Sequence, residues 1–182
     1  MIFVTVGNAT VPFSRLLDEV ERLAGIGLFS GERVVVQSGN YPGFHPENCA
    51  NIPFIKMEEF MKMVQEAELV ICHAGAGTLL HVLNAGKIPV VMPRRVRYGE
   101  VIDDHQLELV KALAEQERVI PALEPADLAS AVEKARRMQG RSSAATAPPM
   151  VALVSCAVEE LLGRVAINSC ATRESRSTSS RV

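Results

Sequence analysis

The 182-residue chain has no surplus of basic residues: 19 Lys and Arg stand against 21 Asp and Glu, for a net charge of -2 and an isoelectric point near 6.1. Nucleic-acid surfaces announce themselves as basic domains or patches, so nucleic acid is not an expected partner. The four cysteines, Cys49, Cys72, Cys156 and Cys170, contain no CxxC pair, and reduced cytosolic thiols are the expectation. Neither a basic leader nor a signal-length apolar core opens the sequence, and export is not expected. The one other long apolar stretch, 150–167, carries Glu159, Glu160 and Arg164 and reads as an amphipathic helix rather than a membrane span. There is no GxxxxGK[ST], which argues against a P-loop hydrolase, and GAGTLL lacks the third glycine of the dinucleotide fingerprint. DxD is missing too. The adjacent Asp103 and Asp104 do not by themselves make a metal site, and the histidines lack ligand spacing, so neither metal nor cofactor is expected.

What is present is alternation. Short β-branched runs at 2–6, 33–37, 52–55, 69–72, 88–92 and 118–120 alternate with segments of helical period at 12–24, 57–66, 78–85, 104–115 and 126–138. Pro12 suits a first helical turn and Gly86 a C-terminal stop. The pattern predicts an α/β domain, a Rossmann-like parallel sheet with helices on both faces, because strands this apolar must be covered twice. At this length one domain of ordinary size is expected, over residues 1–140. A linker follows at 141–149, a C-terminal helix at 150–165 and a disordered polar tail at 166–182. The helix is expected either to cross to a partner or to pack on its own domain.

Ligands of such sheets bind at the carboxyl ends of the strands, where four loops carry glycine and polar signals: GNAT, SGNYPG, HAGAGT and PRRVRYGEVIDDHQ. The most informative of these follows the run LVIC at 69–72. A buried strand that delivers a glycine turn to a helix N-terminus is suited to an anion. Gly75 and Gly77 let backbone and ligand approach, and the first helical N–H groups are unpaired at the positive end of the helix dipole. The same glycines also read as no more than a tight strand-to-helix connection.

Together the loops resemble the nucleotide-sugar-binding half of GT-B glycosyltransferases, and among these glycosyltransferase family 28 and its small split-subunit enzymes. The resemblance rests on TVGN at 5–8 with Phe13 following, VQSG at 36–39, HAGAGT at 73–78, NAGKIPVVMPR at 84–94 and GEVIDDHQ at 99–106. It implies a single GT-B half that binds a UDP-sugar as donor substrate. A separate membrane-associated subunit would then hold the lipid-linked saccharide acceptor, as in the UDP-N-acetylglucosamine transferase of the dolichol pathway and in bacterial exopolysaccharide glycosyltransferases. The chain would be a cytoplasmic hexosyltransferase subunit, peripheral at the inner membrane face through that partner. The rival expectation is a non-catalytic nucleotide-sugar-binding or regulatory subunit.

The residues expected at the donor are Gly7 and Asn8 after the first strand, Gly39 in VQSG, and the backbone of Gly75, Ala76, Gly77 and Thr78 with the Thr78 hydroxyl. His73 is the candidate catalytic residue, as a donor to phosphate or as a proton acceptor near its ordinary pKa of ~6.5; it also reads as a histidine that merely orders the turn. Arg94 is expected to neutralise the diphosphate or to meet the partner, and Glu100 to accept from sugar hydroxyls or to brace its loop. Asp104, His105 and Gln106 match the family's DHQ segment, whose Gln contacts the donor; Asp104 reads equally as a helix cap. His81 stands where two-domain relatives carry a ribose-binding glutamate, and a neutral ring offers fewer acceptor sites than a carboxylate.

Overall fold

The computed structural model describes residues 1–29 and 31–139. The expected linker, C-terminal helix and tail lie outside them. Six strands form one parallel sheet: β1 (Ile2–Thr5), β2 (Val34–Gln37), β3 (Ala50–Ile52), β4 (Leu69–His73), β5 (Val90–Met92) and β6 (Ile120–Pro121). Their order is β3-β2-β1-β4-β5-β6, so the winding direction reverses between β1 and β4. Among the described residues, α1 (Ser14–Gly25), α2 (Met57–Glu66), α3 (Ala76–Asn84) and α4 (His105–Glu115) are crossovers between strands, and α5 (Leu128–Gln139) follows β6. The Rossmann-like fold is therefore the observed one.

Every residue of β1, β2 and β5 is buried, as a sheet covered on both faces requires. Ile2, Val4 and Val6 point to one side, against Leu16, Leu17, Val20 and Leu23 of α1 and Leu128, Val132 and Ala135 of α5. The α1 spacing is that of an amphipathic helix, and each fully buried aliphatic side chain stabilises the fold by about 1.5–3 kcal/mol. Phe3 points the other way and meets Phe60 of α2 with ring centroids 5.8 Å apart.

Element boundaries differ from expectation where proline or glycine intervenes. β3 lies at Ala50–Ile52 rather than 52–55 because Pro53 has no N–H for the ladder; its carbonyl instead accepts from Gly39 at 2.9 Å. Pro12 precedes α1, with Phe13 at the cap position. α3 starts at Ala76, two residues earlier than expected, which places Gly77 and Thr78 within its first turn. Gly86 ends α3 as foreseen: at φ +74° it donates to Leu83 while Lys87 donates to Val82, the two bonds of a Schellman stop.

Candidate functional site

The turns after β1 and β4 face each other across the point where strand order reverses, the place where a parallel sheet opens a crevice. Val6 continues β1 by donating to Gln37 at 3.1 Å, and Gly7 then turns the chain at φ +70°. β4 ends in His73. The ring of His73 lies close to both turns: a Cβ on Gly7 would sit 2.6 Å from its Cε1, and a Cβ on Gly75 would sit 2.2 Å from its Nε2. Neither position admits a side chain while the ring stays in place.

Gly75 also caps α3. Its φ of -74° and ψ of 127° suit any residue, and no side chain caps the helix. Leu79 donates to the Gly75 carbonyl at 2.9 Å, while the N–H groups of Ala76, Gly77 and Thr78 have no carbonyl a turn earlier in the helix to bond. Gly77 has no packing reason to be glycine, since a Cβ there would meet nothing within 4 Å. Within a helix glycine costs about 1 kcal/mol relative to alanine. What the missing Cβ provides is unobstructed access to the positive end of the helix.

These turns border a cleft of about 470 Å³. Gly7, Asn8, His73, Gly75, Gly77 and Thr78 supply its polar side, and Ile55, Met57 and Phe60 from the β3–α2 connection and α2 supply an apolar side. His81 lies between them, its ring edge-on to Phe60 with centroids 6.1 Å apart. No Asp or Glu is among the lining residues. Among the described residues no group of three or more His, Cys, Asp and Glu side chains converges as metal ligands would.

Burial, reinforced by the positive charge of Arg94 and opposed only by the Thr5 backbone, pushes the His73 pKa down to about 4. The ring is therefore neutral at pH 7, and the expected titration near neutrality does not hold in the ligand-free protein. Its Nδ1 is buried without a well-formed hydrogen bond. A neutral imidazole offers one donor and one acceptor, and this one is a weak base.

Other expected residues are placed outside the cleft lining. Arg94 is 1% exposed and is the largest fully buried side chain. Its guanidinium stacks on Phe13 and donates to the carbonyls of Val6, Val11 and Pro12, fastening the long β1–α1 loop to β5. Glu100 accepts two bonds from Arg15, at 2.9 and 3.0 Å, and one from the Arg95 N–H at 2.8 Å, so it braces its loop. Gln106 accepts from the Arg94 N–H at 3.0 Å. Asp104 occupies the cap position of α4, but its carboxylate accepts from Val96 rather than from its own helix. His105 is exposed and pairs with Asp103 at 2.6 Å, and the hydrogen bond its ring donates to that carboxylate raises its pKa. Gly39, at φ +60°, lets its backbone approach Gly7, whose carbonyl a Cβ would meet at 2.8 Å.

Sequence reasoning passed over two polar residues in the lining, Thr5 and Gln37, and the apolar wall of Ile55, Met57 and Phe60. A lone amide closing the all-apolar strand VVVQ was the available signal for Gln37.

The model of the glycosyltransferase family 28 C-terminal domain matches residues 1–154. Among curated proteins, the chain is similar to the UDP-N-acetylglucosamine transferase subunit ALG13 of Yarrowia lipolytica. The two are 32% identical over 123 residues, which cover 62% of this chain and 60% of that protein. It is also 31% identical, over 109 residues, to the UDP-N-acetylglucosamine–N-acetylmuramyl-(pentapeptide) pyrophosphoryl-undecaprenol N-acetylglucosamine transferase of Ralstonia nicotianae, covering 58% of this chain and 28% of that enzyme. In fold it is similar to Acinetobacter baumannii MurG, with a TM-score of 0.53 at 22% identity over 86% of this chain and 49% of that one. The chain thus spans about 60% of the first relative and about half of the solved structure.

Proposed function

The chain belongs to glycosyltransferase family 28, and from that premise we propose that it is the donor-binding subunit of a sugar transferase. It holds a UDP-sugar in the β1/β4 cleft and passes the sugar to a lipid-linked acceptor presented by a membrane-associated partner. The observation that carries this reading is Gly77: a helix-weakening residue with open space above it, at an uncapped helix N-terminus. The N–H groups of Ala76, Gly77 and Thr78, with the Thr78 hydroxyl, bind the diphosphate. Gly7 and Asn8 close on it from the facing turn, and His81 hydrogen-bonds the ribose.

In transfer, an acceptor hydroxyl oxygen attacks the anomeric carbon, the bond from that carbon to the diphosphate oxygen breaks, and its electron pair leaves with UDP. Donors already aimed at the leaving oxygens stabilise that charge as it develops. The hydroxyl proton needs a base. With no carboxylate in the lining and His73 so weakly basic, the base comes from the partner, and His73 serves as a neutral hydrogen-bond donor beside the diphosphate.

The ALG13 relative is by name a transferase subunit, which supports a split arrangement here. Exposed apolar side chains on the loops after β1 and β5 support a partner at this end of the sheet: Val11, Val96, Tyr98 and Ile102, the last 98% exposed. Among the described residues no helix is long and apolar enough to cross a membrane, which fits recruitment through the partner. The polysaccharide pathway and the sugar follow from the partner and the donor ranking.

Calorimetric titration of the chain with UDP, UDP-N-acetylglucosamine, UDP-glucuronate, UDP-glucose and UDP-galactose tests the reading. Saturable binding, weakened by Thr78→Val and His81→Ala, is expected. If neither the chain nor its co-expressed complex binds any of these, the donor assignment fails; if the complex binds but never turns over, the rival non-catalytic reading replaces it.

A further inference from the structure

Gln37 sits at the carboxyl end of β2 with 3% of its surface exposed, and a single amide there uses its full hydrogen-bonding capacity. Its Oε1 accepts from the Thr5 hydroxyl at 2.6 Å and from the Gly7 N–H at 3.2 Å. Its Nε2 donates to the Gly7 carbonyl at 3.1 Å and to the Pro53 carbonyl at 3.0 Å. Gly7 is thus held at both its N–H and its C=O by one side chain, in the left-handed conformation that makes the turn. Pro53 leads directly into Ile55 and Met57 of the apolar wall. The amide therefore joins the polar wall after β1 to the wall after β3, from beneath the cleft.

We propose that Gln37 is the positioning residue of this site: it sets the separation of the two walls and aims the Gly7–Asn8 turn at the phosphates, without being a catalytic group. The inference rests on the donor reading above. The Gly39 N–H also donates to the Pro53 carbonyl, at 2.9 Å, but Gln37 holds both Pro53 and Gly7 through hydrogen bonds. Thr5 also accepts from the Gly7 N–H, but only at 3.3 Å. Methionine at position 37 fills similar volume and leaves the Gly7 carbonyl without this donor and the Pro53 carbonyl with the Gly39 N–H alone, so the turn is free to shift.

The test compares the parent chain, Gln37→Met and Thr5→Val for thermal unfolding, for affinity toward UDP and toward uridine, and for the amide resonance of Gly7. A role confined to stability weakens both ligands alike. A positioning role weakens UDP about tenfold or more in a cooperatively folding Gln37→Met, weakens uridine less, and shifts the Gly7 resonance. Thr5→Val, which removes one donor to the amide, gives the same pattern at a few-fold scale, and it decides the matter if Gln37→Met does not fold. Unchanged UDP affinity in a folded variant, or equal loss for UDP and uridine, overturns the proposal while leaving the donor reading intact. A parent chain that binds no UDP, alone or with its partner, removes the donor reading and this inference with it.

Discussion

Placing alanine at Gly75 puts a methyl 2.2 Å from His73 Nε2 and 3.0 Å from Cδ2, and the three atoms nearest to that methyl all belong to the same ring. Since backbone angles at Gly75 suit any residue, the whole penalty is steric. The ring faces the cleft and can swing into it, so the cost falls in the range of ordinary overpacking, about 1–3 kcal/mol. For a chain of this length that corresponds to a melting temperature lower by about 2–12 °C. At Gly7 the same ring is 2.6 Å away, but φ is +70°, which adds about 1–2 kcal/mol of backbone strain for any side chain. Two double-mutant cycles with His73→Ala separate these causes. Without the ring, Gly75→Ala is expected to become nearly neutral, whereas Gly7→Ala retains its backbone cost of about 1–2 kcal/mol. Urea unfolding of the five variants and the parent measures both cycles, and UDP titration of Gly75→Ala reports whether the displaced ring occupies the cleft. Equal cost of Gly75→Ala with and without the His73 ring would refute the clash as its cause.

Two further outcomes follow from the buried charges. A folded-state pKa of about 4 for His73, against ~6.5 unfolded, means that the unfolded chain takes up a proton that the folded chain refuses. Stability from this group is therefore complete above pH ~6.5 and declines as pH falls toward 4, by up to about 3 kcal/mol; His73→Gln abolishes that part of the slope, and an identical slope in both proteins contradicts it. Glu100→Ala leaves Arg15 without its two-bond partner in a site where the side chains are 12% and 7% exposed, and is expected to destabilise the fold by about 3–5 kcal/mol. The preference for UDP-sugar over UDP stays as in the parent, and its loss would mean that Glu100 touches the sugar after all.

How far the site could be read beforehand depended on whether a residue acts through its neighbours in sequence or across the sheet. HAGAGT was readable because strand, cap and free N–H groups are all local consequences of six consecutive residues. Arg94 was not: beside Arg95 it looks like half of a solvated pair, and it is buried because carbonyls 82 to 88 positions earlier fold over it. Glu100 carries the right chemistry for a ligand, yet both its oxygens are taken by Arg15 and the Arg95 N–H, and Gln106 spends an acceptor site on the Arg94 N–H. Gln37 offered only an odd amide at a strand end, with partners 32, 30 and 16 residues away.

The sequence by itself determined the alternation of strands and helices, the burial of the sheet on both faces, and the glycine turn at its carboxyl edge, because periodicity and backbone freedom are written residue by residue. Only the tertiary structure decided which polar groups were left to meet a ligand. Hydrogen-bond capacity is finite, and whether an arginine, a glutamate or a glutamine still has any to spare depends on donors and acceptors that folding brings from elsewhere in the chain. That competition withdrew Arg94 and Glu100 into the scaffold. It left the first turn of α3, Asn8, His73 and His81 lining the cleft.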